Sequence, residues 1–172
     1  MRIVVQTALV IHIFAAMALV GSVVFNTLVL LPAMKRVPPA YSAVIHQRIG
    51  TGLMVLGLSS LALLGISGGL LLWLAGTLGS FLRAEFWTST YGWRLALMLT
   101  SWLGLLAIGV LSAVWNRTVL EKKLPYTAGL RELEERRAAQ LRVSDTQERL
   151  AYANFALAIG AALGGALIRA LR

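Results

Sequence analysis

Four long apolar stretches separated by polar connections dominate the pattern of the chain. They cover residues 3–31, 49–78, 93–115 and 150–168. Each is near or above the ~20 residues with which an α-helix crosses a hydrocarbon core of about 30 Å. Backbone amides in lipid must be bonded within the protein, and the period-two alternation of a barrel is absent, so the stretches predict transmembrane helices. The predicted fold is all-α, an integral membrane four-helix bundle in a single domain, residues 1–172.

The connection between the third and fourth stretches, residues 117–149, is the polar part of the chain. Its run over 128–143 places apolar residues on one face and charged residues largely elsewhere, which predicts an amphipathic helix. Ser144 and Gln147 match a capping box that would open the last helix. This connection could lie on the membrane surface or dock on a partner subunit, and the sequence leaves both open. The residues expected to make that contact are Leu130, Leu133, Arg136, Arg137 and Leu141.

The distribution of basic residues predicts an orientation. Of the 16 Lys and Arg residues, 11 lie on the side of the connections 32–48 and 117–149, and 5 lie on the side of the termini. The positive-inside rule then places both connections in the cytoplasm and both termini outside, as in a bacterial-type inner membrane. The net charge of +9 therefore favours membrane lipids with anionic headgroups or an acidic partner, and no nucleic acid is expected.

The composition of the chain limits the kinds of reaction and transport that it could carry out. Only 13% of the residues are charged, and no Asp, Glu, Lys or Arg lies deep in a predicted span, which argues against a proton-driven transporter. The chain has no cysteine, so thiol catalysis and disulfides are excluded. No carboxylate pair or phosphate-binding loop is present to indicate hydrolysis or phosphoryl transfer. No catalytic residue and no metal cluster is expected, and the chain is predicted not to be an enzyme.

Small residues at helical spacing indicate close packing between helices. Gly65 and Gly69 are four apart in the second stretch, and Gly160 and Gly164 are four apart in the last. This spacing places both glycines of a pair on one face, where two backbones can approach closely. Tight bundle packing is the ordinary interpretation. The alternative is room for a flat cofactor or a lipid tail.

Two histidines are candidate ligands. His12 lies in the outer half of the first stretch, and the small residues Ala15 and Ala16 follow it. It could bind haem iron or a chlorophyll magnesium as an axial ligand, or donate a hydrogen bond to a neighbouring helix. His46 lies near the cytoplasmic end, where solvent or headgroups surround it. Because His12 is roughly 28 Å from that end, the two cannot share one haem.

Aromatic residues are dense between the second and third stretches. This enrichment is typical of an anchoring belt at the outer membrane–water interface, and a quinone or pigment pocket is the alternative. The residues are Phe81, Phe86, Trp87, Tyr91 and Trp93.

The first stretch resembles the first helix of small four-helix membrane proteins related to the copper-resistance protein D-like superfamily. The resemblance rests on His12, the small residues after it, Gly21 and Phe25, and the turn at Pro32. It extends loosely over the whole chain, including a charged connection before a last helix with Asn154. It implies a four-helix bundle and an involvement with copper or haem, with His12 as the one matching ligand position.

Three classes of function remain at this point. The first is a non-catalytic accessory subunit that packs against a larger respiratory or photosynthetic electron-transfer complex. The second is a small haem- or copper-handling membrane protein that uses His12. The third, a transporter or channel, is disfavoured by the missing polar pathway. The absence of charge within the spans and the basic connection favour the first class.

Overall fold

The computed structural model describes the backbone of residues 1–37, 39–115 and 130–169, and their side chains apart from 39–47, 130–144, 147 and 169. These ranges are helical and contain no strand. The elements are α1 (Arg2–Val24), a π-helical turn (Phe25–Leu30), α2 (Leu31–Met34), α3 (Pro39–Leu74), a 3-10 turn (Leu78–Leu82), α4 (Ala84–Thr88), α5 (Thr90–Trp115) and α6 (Leu130–Arg169).

Four of the helical segments are long and apolar enough to cross a membrane. They are Arg2–Met34, Arg48–Leu74, Thr90–Trp115 and Glu148–Ile168. The prediction of an all-α chain with four such helices is confirmed in this form. We refer to them as spans 1 to 4.

A π-helical turn interrupts span 1. In this turn the amide of Leu31 donates to the carbonyl of Asn26, five residues earlier in the chain. Pro32 follows directly and has no amide hydrogen, so the ordinary bond to the carbonyl of Leu28 cannot form. One widened turn accommodates the missing bond, and the helix continues as α2 to Met34. Pro32 therefore changes the helix locally without ending it.

Span 2 ends at Leu74, before the apolar stretch of the sequence ends at residue 78. Gly76 has φ +68°, its amide donates to the carbonyl of Trp73, and the amide of Thr77 donates to the carbonyl of Leu72. This pair of bonds is a Schellman motif, in which a left-handed glycine closes a helix. The local backbone chemistry of Gly76 thus sets the end of the helix within an apolar stretch.

The last helix does not begin at the predicted capping box. α6 is continuous from Leu130 to Arg169, so the prediction of a separate last helix that opens at Ser144 is wrong. An i,i+4 ion pair of 3.2 Å joins Asp145 and Arg149 across this stretch and favours continued helix. The segment predicted as a separate amphipathic helix is therefore, over its described backbone, the first part of one long helix.

The spans pack side by side in a closed order. α1 contacts α3 and α6, and α5 contacts the same two helices from the other side. A buried apolar cluster takes one residue from each span: Leu19, Leu61, Leu105 and Ala158. Small polar residues accompany this core: Ser22, Thr27, Ser60, Ser67 and Ser101 are also buried. Large apolar side chains such as Phe14 and Ile66 point outward instead, as expected for a surface that faces lipid.

Candidate functional site

His12 forms a hydrogen bond between span 1 and span 2. Its Nδ1 lies 2.9 Å from Oγ of Ser67, which is buried on α3. The imidazole itself is only partly buried. Because an unpaired imidazole N–H within a membrane interior is unfavourable, this bond satisfies one of its two nitrogens.

The neighbours of Ser67 indicate which group donates in its hydrogen bond with His12. A hydroxyl has a single hydrogen, and the one on Ser67 donates to the carbonyl of Leu63 at 2.5 Å, with the carbonyl of Leu64 at 3.4 Å. Ser67 therefore accepts from Nδ1–H of His12. A neutral imidazole that donates through Nδ1 carries its lone pair on Nε2. Metal-binding histidines are oriented in the same way, through a partner on the other nitrogen.

A glycine makes room for the imidazole. A Cβ atom on Gly68 would lie 3.2 Å from Cε1 of His12, closer than ordinary packing. Ala15, one turn after His12, is buried at 4% exposure, so its small side chain lies within the packed part of α1. The small residues near His12 thus accommodate neighbouring protein atoms. Among the described residues, no group of three His, Cys, Asp or Glu side chains could hold a metal ion.

Trp102 joins span 3 to span 2. Its indole Nε1 donates to the backbone carbonyl of Leu61 at 3.0 Å. A Cβ on Gly65, one turn along from Leu61, would lie 2.8 Å from Cζ2 of the same ring. The missing side chain of Gly65 therefore allows the indole to lie against α3 and reach a carbonyl that already belongs to a helix.

The four glycines that were predicted to pack between helices have different neighbouring atoms. A Cβ on Gly160 would lie 3.2 Å from Oγ of Ser101, and one on Gly164 would lie 3.3 Å from the carbonyl oxygen of Arg94. Both therefore lie against α5. Gly65 lies against Trp102, whereas no described atom lies within 4 Å of a Cβ on Gly69, which is exposed. Gly69 thus shares the spacing of Gly65 but points outward.

Polar contacts fix span 4 at both ends. Near the termini, Nη1 of Arg94 donates to the carbonyl of Leu167 at 2.7 Å and so caps the last turn of α6. At the opposite end, Nζ of Lys35 pairs with Glu148 at 2.5 Å. The hydrogen bond to Glu148 raises the pKa of Lys35 above its ordinary value of 10.5.

The π-helical turn contacts span 4 through Thr27. Its hydroxyl donates to the carbonyl of Ala151 at 3.3 Å, and the side chain is buried. One turn further along α6, Oδ1 of Asn154 is buried without a hydrogen-bond partner among the described residues. Nε of Arg94, on α5, is likewise buried without a partner among the described residues.

Several predicted site residues fall outside the described side chains. His46 is one. The others are the docking residues Leu130, Leu133, Arg136, Arg137 and Leu141, whose backbone belongs to α6. Their roles stay predictions.

The partners of His12 and Gly65 were missed from the sequence. The sequence pattern singled out neither Ser67 nor Trp102. Both lie at the depth of their partners on neighbouring antiparallel helices, so counting from the helix ends could have suggested them.

Comparison of the chain with family models, curated proteins and solved structures finds no match. The resemblance to the copper-resistance protein D-like superfamily therefore stays a prediction that rests on the residues around His12.

Proposed function

We propose that this chain is a non-catalytic integral membrane protein that packs as an accessory subunit against a larger respiratory or photosynthetic electron-transfer complex. The observation that carries the proposal is an outward face of α3 on which small residues alternate with large ones. The small residues are Gly52, Ser59, Ala62 and Gly69, and all are exposed. At about 100° per residue they lie within an arc of about 100° around the helix.

This face suits a second helix, and it faces lipid where no second helix covers it. No described atom lies within 4 Å of a Cβ on Gly52 or Gly69, so both positions are open. Exposed Val55 and Ile66 lie between the small residues on the same face. Small residues between larger ones allow two helix backbones to approach closely, which is how helices associate within membranes.

The interior supports the same role. Two partly buried glycines lie against side chains of neighbouring spans, Gly65 against Trp102 and Gly160 against Ser101. The apolar core takes its members from all four spans. Among the described residues, buried Thr27 and Ser67 form hydrogen bonds with neighbouring helices, which supports a structural role.

Outward substitutions test this proposal. Gly52→Leu and Gly69→Leu would place bulk on the proposed contact face without touching the described interior. Gly21→Leu is the matched control, because Gly21 is exposed on α1 with no described atom within 4 Å of its Cβ position. We expect co-purifying subunits to be lost with the α3 variants and retained with the control. Retention of the same subunits by every variant would contradict the proposal.

The proposal includes an orientation of the chain in the membrane. The 11 to 5 distribution of basic residues supports a bacterial-type inner membrane with both termini outside and residues 32–48 and 117–149 in the cytoplasm. In this orientation the basic connection, with Arg136 and Arg137, faces cytoplasmic or membrane-surface partners. To test this orientation, single cysteines are introduced in place of Arg2 and Arg36 and are labelled in intact and in opened cells. We expect a membrane-impermeant reagent to reach the first position in both samples and the second only after opening.

A haem- or copper-handling role for His12 is the second candidate. The bond between Nδ1 of His12 and Ser67 favours it, because it orients the ring and leaves Nε2 outside that bond. The imidazole of His12 could supply one axial ligand, and haem would supply redox chemistry there. A visible absorption band in the purified chain that disappears in His12→Ala would favour this candidate over the subunit role.

A further inference from the structure

The segment between spans 2 and 3 folds into a compact aromatic cluster. The ring of Phe81 lies 5.5 Å from that of Phe86 and 5.2 Å from that of Trp87, and Phe86 meets Trp87 edge-on at 5.2 Å. Tyr91 adds a contact of 5.9 Å to Phe86. The indole of Trp87 also donates to the carbonyl of Phe81 at 3.0 Å. These contacts tie the 3-10 turn to α4.

Both ends of this segment are fixed to the spanning helices. The Schellman motif at Gly76 closes span 2, and the hydroxyl of Thr77 donates to the carbonyl of Leu72 at 3.0 Å. At the other end, Oγ of Ser89 accepts from the amide of Gly92 at 3.0 Å and caps α5. A connection held in this way has a defined position relative to the ends of the spans.

The apolar side chains that remain outside the cluster are exposed. Leu82 is 93% exposed and Leu78 is 44% exposed, although both belong to the same 3-10 turn. Arg83 and Glu85 are exposed directly after Leu82. Trp73 at the end of span 2 and Trp93 at the start of span 3 are exposed on either side of the segment. Interfacial regions of a bilayer accommodate this combination of leucine, indole and charged groups.

We propose that residues 78–88 form an interfacial anchor that lies on the bilayer leaflet nearest the chain termini. Leu78 and Leu82 enter the boundary between headgroups and acyl chains, and the guanidinium of Arg83 meets lipid phosphate. The partner is the lipid surface because two exposed indoles, Trp73 and Trp93, flank the exposed leucines in the sequence, and indoles favour the membrane–water interface. This inference rests on the membrane location of the proposed function and is independent of the subunit role.

The anchor sets the depth of spans 2 and 3 in the bilayer. In-plane helices and turns bind membranes by burying an apolar face at this boundary while polar groups stay in the headgroup region. Because the aromatic cluster and the two helix caps hold the turn that carries Leu82, this side chain is inserted at a fixed position in the leaflet. The segment therefore couples the ends of two spans to the position of one lipid leaflet.

Fluorescent labels at single cysteines can test the proposal, because the natural chain contains no cysteine. The variants Leu82→Cys, Ile66→Cys and Glu85→Cys are each labelled with an environment-sensitive fluorophore. They are placed in vesicles of phosphatidylethanolamine and phosphatidylglycerol. Ile66 is 70% exposed on span 2 and marks the acyl region, whereas exposed Glu85 marks the headgroup and water side. Quenching is measured with aqueous iodide and with nitroxides attached to lipids at shallow and deep positions.

We expect the label at Leu82 to be quenched severalfold more by the shallow lipid nitroxide than by iodide. The label at Ile66 should respond most to the deep nitroxide, and the label at Glu85 most to iodide. Iodide quenching at Leu82 equal to that at Glu85, with Ile66 still in lipid, would overturn the anchor and leave the membrane location intact. Protection of Leu82 from both quenchers would also overturn it and indicate a protein cover. Iodide quenching at Ile66 would overturn both the anchor and the membrane location.

Discussion

Ser67 accepts a hydrogen bond from His12 while its own hydroxyl hydrogen is donated to the backbone of α3. The two bonds measure 2.9 Å to Nδ1 of His12 and 2.5 Å to the carbonyl of Leu63. This pair of bonds orients the imidazole and connects span 1 to span 2 within the membrane-spanning region. It also makes the bond between the helices sensitive to a single hydroxyl group.

Replacing Ser67 with alanine should destabilise the contact between spans 1 and 2. The Nδ1–H of His12 loses its acceptor, and bonds of this kind between helices contribute about 0.6 kcal/mol on average and up to about 1.7 kcal/mol. We expect Ser67→Ala to lower the free energy of unfolding in mixed micelles within that range. The control is Ser59→Ala, since exposed Ser59 donates only to the carbonyl of Leu56 on its own helix. Equal losses in the two variants would argue against the His12 contact.

Gly65 and Gly69 should respond differently to the same substitution, although they are four apart on one helix. A methyl group on Gly65 meets the ring of Trp102 at 2.8 Å, whereas one on Gly69 meets open space. Overpacking of this kind costs about 1–3 kcal/mol. Thermal unfolding in detergent should therefore show a marked loss for Gly65→Ala and little change for Gly69→Ala. A larger loss in the second variant would contradict the assigned faces.

Gly92→Ala should disrupt the corner between α4 and α5. A Cβ at this position would collide with the backbone carbonyl of Phe86, which cannot move as a flexible side chain can. We expect a loss at or above the ~1–3 kcal/mol typical of overpacked sites. The emission of Trp87, which belongs to the adjacent aromatic cluster, should shift at the same time. Gly79→Ala serves as control because no described atom lies near its Cβ position, and a similar shift there would contradict this account.

The ion pair of Lys35 and Glu148 should stabilise the protein only while Lys35 is charged. The hydrogen bond to Glu148 raises the pKa of Lys35 in the folded protein above the ordinary 10.5. A raised pKa means that the contribution is fully present below pH 10.5 and is lost as the pH rises through the folded value. The difference in thermal stability between the natural chain and Glu148→Gln should therefore disappear at strongly alkaline pH. A difference that persists there would contradict a charge-dependent contact.

The apolar pattern predicted the four spans because length and hydrophobicity alone determine whether a helix can cross a bilayer. It placed the end of span 2 too late, since Gly76 closes the helix by its left-handed backbone while the neighbouring residues remain apolar. The capping signature at Ser144 was misleading, because the same residues continue a helix when the preceding segment is also helical. Local signals of this kind are interpreted correctly only once the neighbouring turns are known.

The site was predicted less completely than the spans. The sequence singled out His12, but periodicity within one helix does not identify the residue at the same depth on its neighbour. Ser67 and Trp102 therefore became visible only when α1, α3 and α5 were placed together. The difference between Gly65 and Gly69 has the same origin, since only the position of Trp102 on the neighbouring α5 shows which of the two glycines meets a ring.

The central claim is that the chain serves as a structural membrane subunit, and purification at native expression in a mild detergent tests it most directly. An absorption spectrum and mass spectrometry are taken on the same chromatographic peak, for the natural chain and for His12→Ala. We predict that the chain elutes with a fixed set of larger redox subunits, whose pigments survive His12→Ala. A Soret or chlorophyll band in a peak that contains this chain alone, and that disappears in His12→Ala, would contradict the account and identify a cofactor protein.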